Sequence, residues 1–132
     1  MPGLDKKRVA EIYTAGKREQ WPYPKIFEAL EAAGVEGYIV DVASHTVIYY
    51  GDNTSCIENS PAGFSGITPN KHFAAAAVQS AIERNLGKAF NDSMFLQEMA
   101  RAGVISYRVE MKARTVTYKG WSGEEYVEPV RQ

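Results

Sequence analysis

Apolar residues in this chain fall first at helical spacing and then at alternate positions, and the sequence runs through that change twice. Val9, Ile12, Tyr13 and Gly16 mark a narrow helical face, and Ile26, Phe27, Leu30 and Ala33 mark a second. Further on, Phe73, Ala77, Val78, Ala81 and Ile82 make a broader face, followed by Phe95, Leu96, Met99 and Ala102. Each pair of helices leads into a region of period two. Tyr107, Val109 and Met111 alternate with Arg108, Glu110 and Lys112, and Val116 and Tyr118 alternate with Thr115, Thr117 and Lys119. Such alternation predicts strands with one buried and one wet face.

The boundaries carry their own chemistry. Gly34 and Gly103 stand where a helix must end, because glycine adopts a left-handed cap at little cost and the following Val35 or Val104 folds back on the last turn. Trp21-Pro22-Tyr23-Pro24 separates the first two helices, and Thr68-Pro69 predicts the start of the third as N-cap and first helical residue. A two-residue turn at Ala113-Arg114 would set Met111 opposite Val116 and Val109 opposite Tyr118. The same register earlier pairs Val42 with Val47 and Val40 with Tyr49. Third strands are predicted at Ser55-Cys56-Ile57-Glu58 and Glu125-Tyr126-Val127-Glu128, with Cys56 aligned on Glu125.

At an offset of 69, residues 33–51 and 102–120 share nine identities in nineteen positions. They include Ala-Gly-Val and the tyrosines at 38 and 49, matched at 107 and 118. Internal duplication is the economical explanation. The predicted fold class is therefore α+β: a tandem repeat of helix, helix and three-stranded antiparallel meander, pseudo-twofold, with helices on one face of antiparallel sheet. Residues 1–132 form a single domain of two repeats, 1–61 and 70–130, joined by a linker at 62–69. Whether the six strands join one sheet or form two is open at this point.

Composition narrows the function classes. Fifteen basic and sixteen acidic residues leave a net charge of −1, so no broad field draws nucleic acid or an anionic membrane surface. A single cysteine allows no internal disulfide, and no run of about 18 apolar residues suggests a membrane span. The amino terminus lacks the pattern of a signal peptide, so the expected compartment is the cytoplasm.

Laid out as two copies, the chain resembles a bacterial family of unknown function often labelled "phage envelope protein". The resemblance rests on Ala33-Gly34-Val35, Tyr38, Val40-Asp41 and Tyr49-Tyr50 in the first copy. In the second it rests on Phe95, Ala102-Gly103-Val104, Tyr107, Val109, Val116, Tyr118, Gly123-Glu124 and Tyr126-Val127-Glu128-Pro129. The chain departs from it after the first Tyr-Tyr, where Gly51-Asp52-Asn53-Thr54 replaces a Gly-Glu turn. The resemblance implies no catalytic residue and no cofactor.

The copies differ most on their outer faces. Arg108, Thr117 and Lys119 in the second correspond to Ile39, Ile48 and Tyr50 in the first, and an apolar outer face needs a cover. Either residues 59–68, with Phe64 and Ile67, fold over it as a lid, or the face meets a partner, a second copy or a small ligand. His45 at the hairpin turn and the aromatic residues Trp21, Tyr23, Phe64 and Trp121 near loops complete the candidate surface. Two widely spaced histidines and no paired cysteines argue against a metal site, and Cys56 reads as a structural thiol. The segment Gly63 to Lys71 does not fit a P-loop. The sequence thus points to a non-enzymatic ligand-binding or protein-interaction module, with a homodimer among its candidate forms. The alternatives are a small-metabolite enzyme using Asp41, His45, Glu110 or a tyrosine as acid or base at a cleft between the copies, and a phage-derived structural protein.

Overall fold

Helix α1 (Lys6–Arg18) begins at Asp5, whose side chain accepts a hydrogen bond from the Arg8 amide at 3.0 Å. Helix α2 (Tyr23–Ala32) follows Pro22 and ends in a full Schellman motif. There the Val35 amide donates to the Leu30 carbonyl and the Gly34 amide to that of Glu31, with Gly34 at φ 90°. Strands β1 (Gly37–Asp41), β2 (Thr46–Gly51) and β3 (Thr54–Glu58) come next. The same order then recurs: α3 (Ala75–Arg84), α4 (Ser93–Arg101), β4 (Ser106–Glu110), β5 (Thr115–Lys119) and β6 (Glu125–Pro129). These elements come from a computed structural model that describes residues 4–59, 66–84 and 93–130; Phe64 and the side chain of Tyr23 lie outside the described residues.

All six strands form one antiparallel sheet, in the order β3-β2-β1-β4-β5-β6. Strands β1 and β4 pair at its centre with Ile39 opposite Arg108. Buried helix residues such as Ile12, Phe27, Val78 and Met99 join the inward strand residues Tyr38, Val40, Tyr49, Tyr107 and Val109 in one core. The fold is α+β, as the periodicities indicate.

Backbone contacts recur between the two halves. The Asp5 amide donates to the Ala33 carbonyl at 2.8 Å, and the Ala74 amide to that of Ala102 at the same distance. The second Schellman motif joins Val104 to Met99 and Gly103 to Ala100, with Gly103 at φ 88°. Two further bonds stitch the halves together, from the Val42 amide to Ile105 and from the Met111 amide to Glu36.

Three local expectations are corrected. Both hairpins turn over four residues, so Val40 faces Val47 and Tyr38 faces Tyr49, while Val109 faces Val116 and Tyr107 faces Tyr118. The cause is a left-handed residue at the end of each turn, His45 at φ 55° and Arg114 at φ 56°. A slip of two preserves which residues face inward, so the buried set stands and only the partners change. Val42 and Met111 fall in the turns, yet both are buried.

The third helix starts at Ala75, not at Thr68-Pro69. The Asn70 side chain accepts from the His72 amide in a tight local turn, and the Asn70 and Ala74 amides bond the Ala100 and Ala102 carbonyls. Residues 70–74 are thereby held along the end of α4 instead of coiling.

Finally, β6 is displaced by one residue relative to β3. Gly51 faces Thr54 across the two-residue turn Asp52-Asn53, both residues left-handed, whereas the Gly120 amide bonds the Glu124 carbonyl across a three-residue loop. Cys56 therefore corresponds to Tyr126 and not to Glu125, because each faces the inward tyrosine of its neighbouring strand, Tyr49 or Tyr118.

Gly103 shows how tightly the halves are closed. A Cβ there would run into the His72 carbonyl and Phe73 Cα as well as demanding a left-handed backbone. Gly103→Ala is expected to cost more than the roughly 1–2 kcal/mol of the left-handed conformation alone. Urea denaturation, read as a lower midpoint at unchanged slope, checks this.

Candidate functional site

The face of the sheet away from the core is built from the alternate residues. Its central row runs Ile57, Ile48, Ile39, Arg108, Thr117, Val127 across the six strands. Ile48 is 38% exposed and Ile57 62% exposed, with Ile39 half-buried between its neighbours. At the other end Val127 is 55% exposed. The half made by β1, β2 and β3 thus carries an aliphatic ridge, while the other half carries Arg108, Glu110, Lys119 and Glu125 among threonines.

A polar clamp ties the two halves of this face together. Tyr50 on β2 lies across Gly37 on β1, filling the place a Cβ would take, and its hydroxyl donates to Glu110 Oε1 on β4 at 3.1 Å. The Arg108 guanidinium sits 5.5 Å above the Tyr50 ring and 3.3 Å from the same carboxylate. Burial raises the Tyr50 phenol above its ordinary range; Arg108 pulls it back and the bond to Glu110 raises it further. Gly37 makes the clamp geometrically available.

The sequence-predicted residues do not converge on one pocket. Ile39, Ile48 and Tyr50 share the outer face, as their alternation predicts. His45 is buried at the β1–β2 turn. Trp21 packs against the core between α1 and α2, where its Nε1 donates to Glu19 and the Lys25 ammonium lies 4.1 Å over its ring. Trp121 is exposed on the β5–β6 loop. Asp41 and Glu110 sit at opposite ends of the central strands, since Glu110 faces Gly37 and β1 advances about 3.3 Å per residue from there to Asp41. Of the proposed lid, residues 60–65 lie outside the described residues; Ile67 packs against the core, its amide bonded to Ala43.

With the geometry in place, comparison with known proteins adds one result. Residues 11–128 match a family described as "Protein of unknown function (DUF1398)". The chain belongs to that family. No curated protein matches it.

Three residues of this DUF1398 chain acquire significance only through the structure. Ile57 completes the ridge, signalled by the alternation Ser55-Cys56-Ile57-Glu58 but paired only through the register. Glu58 and Glu128 point inward from the two edge strands. Glu128 is buried and accepts from the Tyr126 hydroxyl at 2.8 Å. Burial raises the Glu58 carboxyl, with Lys17 pulling it back. Inward charges on edge strands oppose pairing with another sheet. Burial likewise raises the Cys56 thiol, which keeps it from being a ready nucleophile. No helix among the described residues is long and apolar enough to cross a membrane.

Two tyrosines on neighbouring positions of β2 should respond oppositely to loss of the hydroxyl. The Tyr49 hydroxyl is buried with no hydrogen-bond partner among the described residues, so Tyr49→Phe is expected to be neutral or stabilising. Tyr50→Phe gives up the bond to Glu110 and is expected to lose about 1 kcal/mol. Chemical denaturation of the two variants checks the contrast.

His45 sets a pH dependence. Burial lowers its pKa from the ordinary 6.5, and the positive charge of Lys17 lowers it further. The unfolded chain therefore takes up a proton before the folded one does, and the folded state loses stability as pH falls below about 6.5. Above that value both states are neutral and the contribution is constant. His45→Asn, which tolerates the left-handed backbone, should flatten the slope of stability against pH between about 7.5 and 5.5. An unchanged slope in equilibrium unfolding would refute this role.

Proposed function

We propose that this protein is a non-enzymatic interaction module that offers the β1–β3 half of its open sheet face to a protein partner. The ridge Ile57, Ile48, Ile39 carries this reading: three adjacent aliphatic side chains on a strand-built surface with a polar surround. Contiguous exposed apolar patches mark contact surfaces more often than isolated residues do. The Tyr50–Glu110 clamp, Arg108 and Gly37 keep that surface rigid, which lowers the entropic cost of binding.

The enzyme alternative finds less support, because Asp41 and Glu110 stand at opposite ends of the central strands and His45, whose amide bonds the Asp41 carbonyl, is buried. A sheet face also suits a protein surface better than a small molecule, which favours concave sites. The phage-structural reading needs assembly beyond a small oligomer, and the inward Glu58 and Glu128 oppose growth by edge pairing. An internal duplication accounts for the recurring backbone bonds; divergence of the outer residues then gave one copy the apolar ridge and left the other polar.

A photo-crosslinking residue tests the surface directly. Ile48→p-benzoylphenylalanine is expected to yield a covalent adduct in the cells that make the protein, mapped by mass spectrometry to that position. Val127→p-benzoylphenylalanine, at a more exposed position on the polar half, should yield none. Adducts at both positions or at neither would overturn the reading.

A further inference from the structure

The register gives the inner face of the sheet two matching corners, one at each edge strand. In the β4–β6 half, Tyr126 faces Tyr118 and Glu128 faces Val116; in the β1–β3 half, Cys56 faces Tyr49 and Glu58 faces Val47. The β6 corner is closed by its own residues. The Tyr126 ring lies 6.2 Å from that of Tyr118, its hydroxyl donates to Glu128 at 2.8 Å, and Glu128 is 6% exposed. The β3 corner has the same inward tyrosine and the same glutamate, but a thiol stands in the place of the phenol.

Two polar groups at the β3 corner lack the partners that a phenol would give them. Tyr49 is 1% exposed, and its hydroxyl has no hydrogen-bond partner among the described residues. Burial, and then the charges of Glu58, Tyr13 and Cys56, hold this phenol well above its ordinary range, so those side chains lie around it. Glu58 is half-buried and receives neither a hydrogen bond nor an ion pair among the described residues. Tyr13 reaches the corner from α1, where α3 has Ile82, but does not bond the Tyr49 hydroxyl. Buried polar side chains nearly always find partners, and these two face one place. Tyr13, Cys56 and Glu58 are each partly exposed beside the edge strand, which gives the corner access to solvent.

We propose that the corner formed by Tyr13, Tyr49, Cys56 and Glu58 binds a small free phenol, seated beside Cys56 as the Tyr126 side chain is seated in the other half. The ligand hydroxyl donates to the Glu58 carboxylate, as Tyr126 does to Glu128, and accepts from the Tyr49 hydroxyl. Its ring meets Tyr49 as the Tyr126 ring meets Tyr118. An aromatic molecule without a hydroxyl leaves Tyr49 and Glu58 unsatisfied, and sites built around hydrogen bonds reject such analogues strongly. Helix α1 packs over β3, so a free ring fits the corner better than one carried on a peptide backbone. The corner lies on the opposite side of the sheet from the isoleucine ridge; it goes beyond the interaction-surface reading and does not depend on it.

Titration of the full chain with para-cresol, the tyrosine side chain as a free molecule, followed by amide NMR, tests this. Saturable binding is expected with a Kd on the order of 1 mM, as suits so small a ligand, and with the largest shifts at Tyr13, Tyr49, Cys56 and Glu58. Toluene and N-acetyltyrosinamide should each bind at least about tenfold more weakly. Glu58→Gln should weaken para-cresol by at least about tenfold, and Tyr49→Phe, which the fold tolerates, by about fivefold. Cys56→Tyr supplies the phenol from the chain itself and should abolish binding; if it fails to fold, Glu58→Gln and Tyr49→Phe decide the matter. No saturable shifts at this corner, toluene binding as well as para-cresol, or full affinity in Glu58→Gln overturns the site. Tighter binding of N-acetyltyrosinamide overturns the free phenol in favour of a tyrosine carried on another chain.

Discussion

The pairing of β1 with β4 is the constraint on which the other features depend. Among the described residues it is the one place where strands from the two halves exchange a full ladder, and it sets Ile39 opposite Arg108 at the centre of the sheet. From that register follow the join between the apolar and the charged half of the outer face, the reach of Tyr50 across Gly37 to Glu110, and the single core beneath both meanders. Were β1 and β4 to slip by one residue, one of them would turn its buried side chains to solvent. The buried tyrosines and valines on both strands therefore hold the register as firmly as the hydrogen bonds do.

Much of this was legible in the residues themselves. The apolar spacing at Val9 to Gly16 and at Ile26 to Ala33 marked the helices, and the Ala-Gly-Val triplets marked their ends, because helix packing and left-handed caps act over only a few residues. Alternation identified the inward set. Partner assignments fared worse, since the length of a turn depends on whether one residue adopts a left-handed backbone, and nothing in the types of His45 or Arg114 announces that. The start of α3 escaped for a related reason: Thr68-Pro69 has the local chemistry of a cap, but the docking of residues 70–74 on the end of α4 is a long-range event.

The candidate surface was legible in part. Ile39, Ile48 and Tyr50 stood out because their counterparts are polar. Trp21 and Trp121 were grouped with them by residue type and lie elsewhere, one wedged between helices and one on a loop. His45 belongs to the same candidate surface by its place at the turn, yet it is buried. The clamp could not be found without the register, because it joins residues that only the sheet brings together.

The bridge between the halves also bears on how the chain reaches this state. Within each half, strand follows strand through a short turn, so each meander closes on itself with little loss of chain entropy. Docking β1 on β4 instead closes a long loop, whose cost rises only with the logarithm of its length. The contacts of Ile67 with Ala43 and of Asn70 and Ala74 with the end of α4 shorten that loop, so the connection between the halves takes part in their assembly instead of serving as a passive tether.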